Sequence, residues 1–172
     1  LDMSEGGDTS FGIESYLNNK FKKYEKLYDV TLSKEDSLTV RFSNIIEAAY
    51  EKTGQRVAVL IDEYDSPLQH SWNTSEHIGC TNVYRNVFAV LKSATKYEKF
   101  VFITGITKFT QISLFSVLNN LTNISFLPEY ATICGITEQE VTEYFTEDIS
   151  LLAEANGWTE QETHKRLKEY YD

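Results

Sequence analysis

The sequence has few cysteines, few prolines and no long apolar run. Its 172 residues include two cysteines, Cys80 and Cys134, which are too few and too far apart for a disulfide framework or a CxxC motif. We therefore expect a reducing, cytoplasmic environment. The longest aliphatic run covers residues 57–61, far short of the roughly 20 residues that cross a bilayer. No basic-then-apolar start marks a signal peptide, so we expect no membrane association.

Positive charge is also scarce. There are 16 Lys and Arg residues against 26 Asp and Glu residues, which gives a formal net charge of −10. This balance argues against direct nucleic-acid binding, because sequence-independent affinity comes from cations that neutralise phosphates. Hydrophobic residues make up 41% of the chain and aromatic residues 13%, which is enough for a folded core.

The hydrophobic pattern alternates between the periods of helix and strand. Residues 57–61 and 100–103 are short, β-branched or aromatic runs, which suit strands buried on both faces of a parallel sheet. Apolar residues at helical spacing predict helices before, between and after these runs. They are Ile13, Leu17, Phe21, Tyr24 and Tyr28, then Leu38, Phe42, Ile45, Ile46 and Ala49, and then Val83, Val87, Val90, Leu91 and Ala94.

Local signals refine this picture. Asp36 or Ser37 is the expected N-cap of the second helix and Gly54 its stop. Residues 66–80 are expected to form a polar loop, residues 112–118 a short helix, and residues 133–134 a brief third strand.

The C-terminal region is predicted to be a helical hairpin. Capping boxes at Thr137–Glu140 and Thr159–Glu162 open its helices, Asn156 and Gly157 end the first, and Val141, Phe145, Ile149 and Leu152 face inward. The expected fold class is α/β, with a core over residues 1–135 and a helical, lid-like segment over residues 136–172.

Asp62 and Glu63 follow the first strand directly. Because ligands bind outside the carboxyl ends of parallel strands, these carboxylates are placed for chemistry. Asp62 suits Mg²⁺, a hard cation that takes oxygen ligands, and Glu63 suits acceptance of a proton from water. This is the Walker B pattern of P-loop NTPases, although strands also end in acids that merely start a loop. Asp65 fits a cap or loop residue better than a ligand.

Thr104 ends the second strand in the matching position. In one branch of the P-loop ATPases this position holds a sensor that touches the attacking water or the γ-phosphate, and Thr107 and Lys108 lie just beyond it. The alternative is a hydroxyl that satisfies a local backbone group.

A phosphate cradle is missing from the sequence. A phosphate-binding loop requires G-x-x-x-x-G-K-[ST], and the chain contains no Gly-Lys dipeptide. The nearest frame, residues 7–12, continues into Ile13 and Glu14, which cannot replace a cation against a triphosphate.

The remaining candidates are weaker. His70, His77 and Cys80 share one loop without a fourth zinc ligand. Cys134 has apolar neighbours and is expected to be buried packing. Arg85 fits a solvated helical residue better than an arginine finger.

Several sequence blocks, in order, resemble the bacterial AAA-ATPase-like family. They are residues 59–67, 100–109, 113–121, 130–135 and 170–172, while residues 1–56 fit loosely, with residues 1–4 as the end of the family's second strand. The resemblance implies a P-loop ATPase domain, with a three-layer parallel sheet flanked by helices, commonly joined to a PD-(D/E)XK nuclease-like domain. It further implies that Asp62 is the Mg²⁺-site acid, Glu63 the water-activating acid and Thr104 the sensor.

The resemblance also implies that the chain is a central fragment. The family's Walker A segment would lie upstream of Leu1, so Mg²⁺ and ATP are expected as ligands of a full-length parent and the isolated chain is expected to be inert. Without the Walker A strand the sheet keeps an exposed edge, which favours a homodimer. The alternative function is a nucleotide-independent protein-interaction module. A nuclease activity of the chain itself is disfavoured by its charge and by the lack of a carboxylate-lysine arrangement.

Overall fold

The computed structural model describes residues 1–31, 33, 36–106 and 121–171, with only the backbone of Tyr171. Contacts divide the chain into two units, Leu1–Leu121 and Thr122–Asp172. The division between ATPase core and lid that the sequence predicts after residue 135 concerns function and stays a prediction.

The first unit mixes helices with a small sheet. Its elements are a 3-10 turn at Met3–Gly6, α1 (Ser10–Tyr28), α2 (Leu38–Thr53), β1 (Val57–Ile61), α3 (Ser66–His70), α4 (His77–Phe88), α5 (Val90–Ser93) and β2 (Glu98–Ile103). The α/β class expected from the periodicity is confirmed.

Local signals set the bounds of the long helices. The Thr9 hydroxyl caps α1 by accepting from the Gly12 amide, and α2 starts at Ser37, whose side chain accepts from the Val40 amide. Gly54 ends α2 in the left-handed conformation, with φ of 67°, as its lack of a Cβ allows. The predicted caps of α2 are therefore confirmed, with Ser37 as the N-cap.

The strands run parallel, as predicted. In the register of β1 and β2, Val59 pairs with Val101 and Ile61 with Ile103. Residues 1–3 lie along the opposite side of β1, where the Asp62 amide donates to the Leu1 carbonyl at 2.7 Å and the Met3 amide to the Asp62 carbonyl at 2.9 Å. These contacts form an isolated parallel bridge between Asp2 and Asp62, so residues 1–3 flank the end of β1 on the side away from β2. The expectation that residues 1–4 are the end of a strand of the family stays a prediction.

The described helices of the first unit cover one face of this sheet. Val59 and Ile61 join the core formed with α1, α2 and α4. On the other face Leu60 is 56% exposed and Phe100 49% exposed. The expectation that both faces would be buried is wrong for the described residues, because the described helices of the first unit pack on one face. A continuous apolar run sets strand identity but not the number of covering layers.

Two other expectations about the first unit have a different outcome. The polar loop expected over residues 66–80 is wrong, because α3 fills residues 66–70 and α4 begins at His77. Pro67 lies in the first turn of α3, where its missing amide hydrogen costs no helical bond. The predicted helix over residues 112–118 falls outside the described residues.

The second unit consists of a 3-10 turn at Pro128–Tyr130, α6 (Glu138–Tyr144), α7 (Thr146–Asn156) and α8 (Glu160–Tyr171). The capping box of Thr137 and Glu140 is confirmed, and Gly157 ends α7 in the left-handed conformation. The Thr159 hydroxyl accepts from the Glu162 amide at the start of α8. The predicted first helix is broken at Phe145, which separates α6 from α7.

Residues 133–134 do not form the predicted strand but lie in bends. The expectation that Cys134 is buried is also wrong, because its side chain is exposed. Apolar neighbours in sequence do not bury a residue unless a packed element covers them. None of the described helices combines the length and the hydrophobicity needed to cross a membrane.

Candidate functional site

The candidate site lies where β1 and β2 end side by side. Because Ile61 and Ile103 are paired in the register, the next residues, Asp62 and Thr104, come to the same sheet edge. The Thr104 amide donates a hydrogen bond to the Ile61 carbonyl at 2.9 Å, and the Tyr64 amide donates one to the Thr104 carbonyl at 3.0 Å. The parallel pairing thus continues past both strands into the turns that carry the candidate residues.

Asp62 and Thr104 are in direct contact. The Thr104 hydroxyl donates a hydrogen bond to Asp62 Oδ1, which also accepts from the Glu63 amide at 3.0 Å. Asp62 is exposed and Thr104 half-buried, so both are open to solvent at the edge. Two polar residues separated by 42 positions in sequence therefore form one oriented pair.

Glu63 has an unusual backbone. Its φ of 52° lies in the left-handed region, which disfavours any residue with a Cβ. Its carbonyl accepts from the Ser66 amide at 3.0 Å, which closes the turn into α3. Within the described part of the chain, its half-buried carboxylate makes no hydrogen bond or ion pair, and strained residues of this kind cluster at functional sites.

Asp65 differs from both neighbours because it is completely buried. Its Oδ1 accepts from the Ile106 amide at 3.2 Å, and its Oδ2 accepts from the Gln69 side chain. It stands at the N-cap position of α3 without capping that helix through its side chain. The sequence places Asp65 in a turn, but no local signal reveals a partner 41 positions away.

Gly105 lies close to the Asp65 carboxylate and the Tyr64 ring. A Cβ at this position would overlap the Asp65 carboxylate and the Tyr64 ring. Tyr64 is itself fully buried, and burial, followed by the nearby charge of Asp65, raises its pKa to about 12. The turn after β2 is therefore pressed against the turn after β1, and only glycine permits this approach.

The oxygen atoms at the edge suit a magnesium ion whose remaining ligands are mostly water molecules and phosphate oxygens. Asp62 supplies an exposed carboxylate, with the Thr104 hydroxyl beside it. Among the described residues there is no group of three or more His, Cys, Asp or Glu side chains that could enclose a metal. Asp62 and Thr104 are therefore the described residues at this edge that could contact a cation.

The weaker candidates contact protein groups outside the candidate site. His70 Nδ1 lies 3.4 Å from Ser66 Oγ, and His77 Nδ1 lies 3.3 Å from Ser71 Oγ. Cys80 is buried, and its thiol contacts the Asp8 carbonyl at 3.6 Å. Arg85 donates to Asn82 on its own helix at 3.2 Å. Thr107 and Lys108 fall outside the described residues.

Residues 7–12, the nearest frame to a phosphate loop, form the entry to α1. The Ser10 amide donates to the Glu76 carboxylate at 3.3 Å, and Thr9 caps the helix. A negative side chain already occupies this helix end, where a phosphate would otherwise be favoured. In this structure the segment therefore serves as the capped entry to α1.

Comparison with known proteins adds a family relationship. A family described as predicted AAA-ATPase matches residues 1–115, which is more than half of the chain. An uncharacterised protein encoded in the vnfD 5′ region of Azotobacter chroococcum mcd 1 is 36% identical over 110 residues. That alignment covers 63% of this chain and 21% of the relative, so the matched part is a small share of the relative's length. No solved structure matches the chain significantly.

Proposed function

Because this chain belongs to the predicted AAA-ATPase family, we propose that the whole protein binds and hydrolyses ATP with Mg²⁺. In this proposal Asp62, Glu63 and Thr104 form the catalytic half of the site. The observation that carries it is the oriented Asp62–Thr104 pair at the carboxyl edge of two parallel strands, beside a glutamate whose carboxylate is otherwise unengaged in the described part of the chain.

Asp62 would hold the magnesium ion, directly or through water. The metal, when bound, would neutralise charge on the phosphates. The hydrogen bond that Asp62 Oδ1 accepts from the Glu63 amide fixes the orientation of the carboxylate, which is how neighbouring groups tune a metal ligand.

Glu63 would act as the general base that accepts a proton from the attacking water. A base must be within hydrogen-bond reach of water and must not be held by another partner. Glu63 meets the second condition within the described residues. Its left-handed backbone supports a functional position, because a glutamate there is maintained against a conformational cost.

Thr104 would sense the γ-phosphate or the attacking water. Its hydroxyl has one proton, which it donates to Asp62 in this structure. Contact with a phosphate oxygen requires that the proton be donated there instead. Nucleotide binding would therefore exchange one hydrogen bond for another at this residue.

We further propose that the complete domain is the three-layer P-loop sheet, with the strand that carries the phosphate loop beside β2. The side of β2 that pairs with no described strand and the exposed face around Leu60 and Phe100 are places where another strand and another layer would pack. Because the 172 residues contain no Gly-Lys dipeptide, the phosphate loop would be supplied by other residues of the whole protein.

The first test uses the 172-residue chain alone. Isothermal titration with Mg²⁺-ATP is expected to show no binding tighter than millimolar, because the 172 residues contain no G-x-x-x-x-G-K-[ST] loop, whose backbone amides and lysine hold phosphates. A micromolar dissociation constant would contradict the proposal that the phosphate loop is supplied by other residues of the whole protein.

The second test replaces Glu63 by glutamine in the whole protein. Removal of the base is expected to lower kcat by roughly 100-fold or more while ATP stays bound. The matched control is Glu14→Gln, an exposed residue of α1, which should leave turnover unchanged. Unchanged hydrolysis in Glu63→Gln would make Glu63 structural. Absence of ATP binding by the whole protein would favour the nucleotide-independent interaction module.

A further inference from the structure

The turns after β1 and β2 are joined by both backbone and side-chain contacts. Two backbone hydrogen bonds extend the parallel ladder, from Thr104 to Ile61 and from Tyr64 to Thr104. The third contact, from the Ile106 amide to Asp65 Oδ1, uses a side chain. These contacts hold Thr104 and Ile106, the residues on either side of Gly105. They therefore fix the segment that carries the Thr104 hydroxyl.

Asp65 is held in place by its surroundings. A buried carboxylate is costly unless donors satisfy it, and this one accepts from the Ile106 amide and from the Gln69 side chain. Hydrogen bonds to a charged acceptor are stronger than those to a neutral one. The carboxylate is therefore a rigid point against which residues 104–106 are fixed.

Packing enforces the same arrangement. The Tyr64 ring and the Asp65 carboxylate lie so close to Gly105 that any Cβ would overlap them. This close approach of the turn after β2 to Asp65 and the buried Tyr64 therefore requires glycine at position 105. The steric and hydrogen-bonding constraints thus act on the same three-residue segment.

We propose that Asp65 is a positioning residue that holds residues 104–106 against the β1 turn and thereby orients the Thr104 hydroxyl toward Asp62. It acts through Thr104 and does not itself touch substrate. The catalytic consequence rests on the proposed ATPase function, whereas the positioning of the segment stands on the contacts alone.

The positioning is tested by amide hydrogen exchange, followed by NMR, in the 172-residue chain. In Asp65→Ala the Ile106 and Thr104 amides are expected to exchange at least about tenfold faster, while the amide of Phe102 inside β2 keeps its protection. Asp65→Asn, which keeps the shape and one acceptor oxygen, should fall between wild type and Asp65→Ala and serves if the alanine variant does not fold. Unchanged exchange at Ile106 in the folded variant overturns the inference.

The catalytic role is tested by a double-mutant cycle in the whole protein. Asp65→Asn is expected to lower kcat about tenfold with little change in the KM for ATP, and to have no further effect in a Thr104→Val background. Additive losses would show that Asp65 does not act through Thr104 and would overturn its positioning role. Ile46→Val, a buried change elsewhere in the same unit, controls for stability and should leave kcat unchanged.

These measurements separate the two proposals. If the wild-type whole protein hydrolyses no ATP, the proposed function fails, and the exchange rates still decide whether Asp65 holds the segment. If exchange accelerates but kcat is unaffected, Asp65 is only a structural clamp and the positioning role in catalysis is wrong.

Discussion

Glu98 is a buried carboxylate at the start of β2, away from the candidate site. It is 8% exposed, and its Oε1 has no hydrogen-bond partner within the described part of the chain. Desolvation disfavours the charged form and raises its pKa from 4.5 to about 7. The folded protein therefore retains this proton at pH values where the unfolded chain has lost it.

This difference predicts a pH-dependent stability. Between pH 4.5 and about 7 the folded state binds more protons at Glu98 than the unfolded state, so its contribution to the free energy of unfolding falls as pH rises. Glu98→Gln cannot ionise and should remove that fall. Urea unfolding at pH 5 and pH 8 measures it, with the exposed Glu14→Gln as control. If the free energy of unfolding changes with pH equally in wild type and in Glu98→Gln, the prediction is contradicted.

Glu63 permits a second prediction for a single residue. Glycine adopts a φ of 52° without the Cβ clash, so Glu63→Gly should raise the free energy of unfolding by about 1 kcal/mol while it removes the carboxylate. Glu63→Ala is the matched control, since it loses the same carboxylate and keeps the clash. Chemical denaturation compares the two variants. Equal stabilities would mean that the turn does not strain Glu63.

Among the helices, α1 and α2 are joined by a buried ion pair. Arg41 Nε donates to Glu25 Oε1 at 2.6 Å and Arg41 Nη2 to Glu25 Oε2 at 3.0 Å, with both side chains almost completely buried. Arg41 also donates to the side chain and the carbonyl of Asn18. The pair lies beside the stacked rings of Phe21 and Phe42, whose centroids are 5.2 Å apart.

Removal of one partner of this pair is expected to be costly. Arg41→Ala should destabilise the protein by about 3–5 kcal/mol, because it leaves the Glu25 carboxylate buried without its partner. The double variant Glu25→Met with Arg41→Leu should recover most of that loss. Thermal or urea unfolding measures both changes.

The same two helices supply the control. Lys52 of α2 contacts Asp29, the C-cap of α1, at 2.6 Å, but both side chains are largely exposed. Lys52→Ala should cost no more than about 1 kcal/mol, because solvent screens such a pair. Comparable losses for Arg41→Ala and Lys52→Ala would show that burial does not govern the Glu25–Arg41 pair.

At the scale of the molecule, the sheet formed by the described residues of the first unit is partly uncovered. Leu60 and Phe100 are exposed on one face, and β2 pairs only with β1 in the described sheet. An apolar face beside a free strand edge promotes pairing with another chain. We therefore propose that the 172-residue chain forms a homodimer through this edge, at the place where the whole protein would add its own strand.

Light scattering coupled to size exclusion tests this association over the micromolar range. Wild type is expected to be a dimer and Phe100→Lys a monomer, because a charge on the open face must be desolvated on pairing. Phe11→Lys, at an exposed apolar residue of α1, is the matched control and should remain dimeric. A monomeric wild type would refute the proposal.

The sequence alone determined the features that depend on neighbouring residues. Hydrophobic period identifies α1, α2 and both strands, and short-range capping identifies Ser37, Gly54 and the Thr137–Glu140 box. The acids after β1 and the threonine after β2 are also readable, because strand ends follow directly from the apolar runs. These signals are local, and tertiary packing did not override them.

Only the tertiary structure decided which of these features meet and which are covered. It joins Thr104 to Asp62 and Ile106 to Asp65 across about 40 positions of chain. It leaves Leu60 and Cys134 exposed and buries Glu98. A residue's own sequence neighbourhood does not specify the surface packed against it, so burial, long-range hydrogen bonds and the close fit at Gly105 follow from the assembled fold.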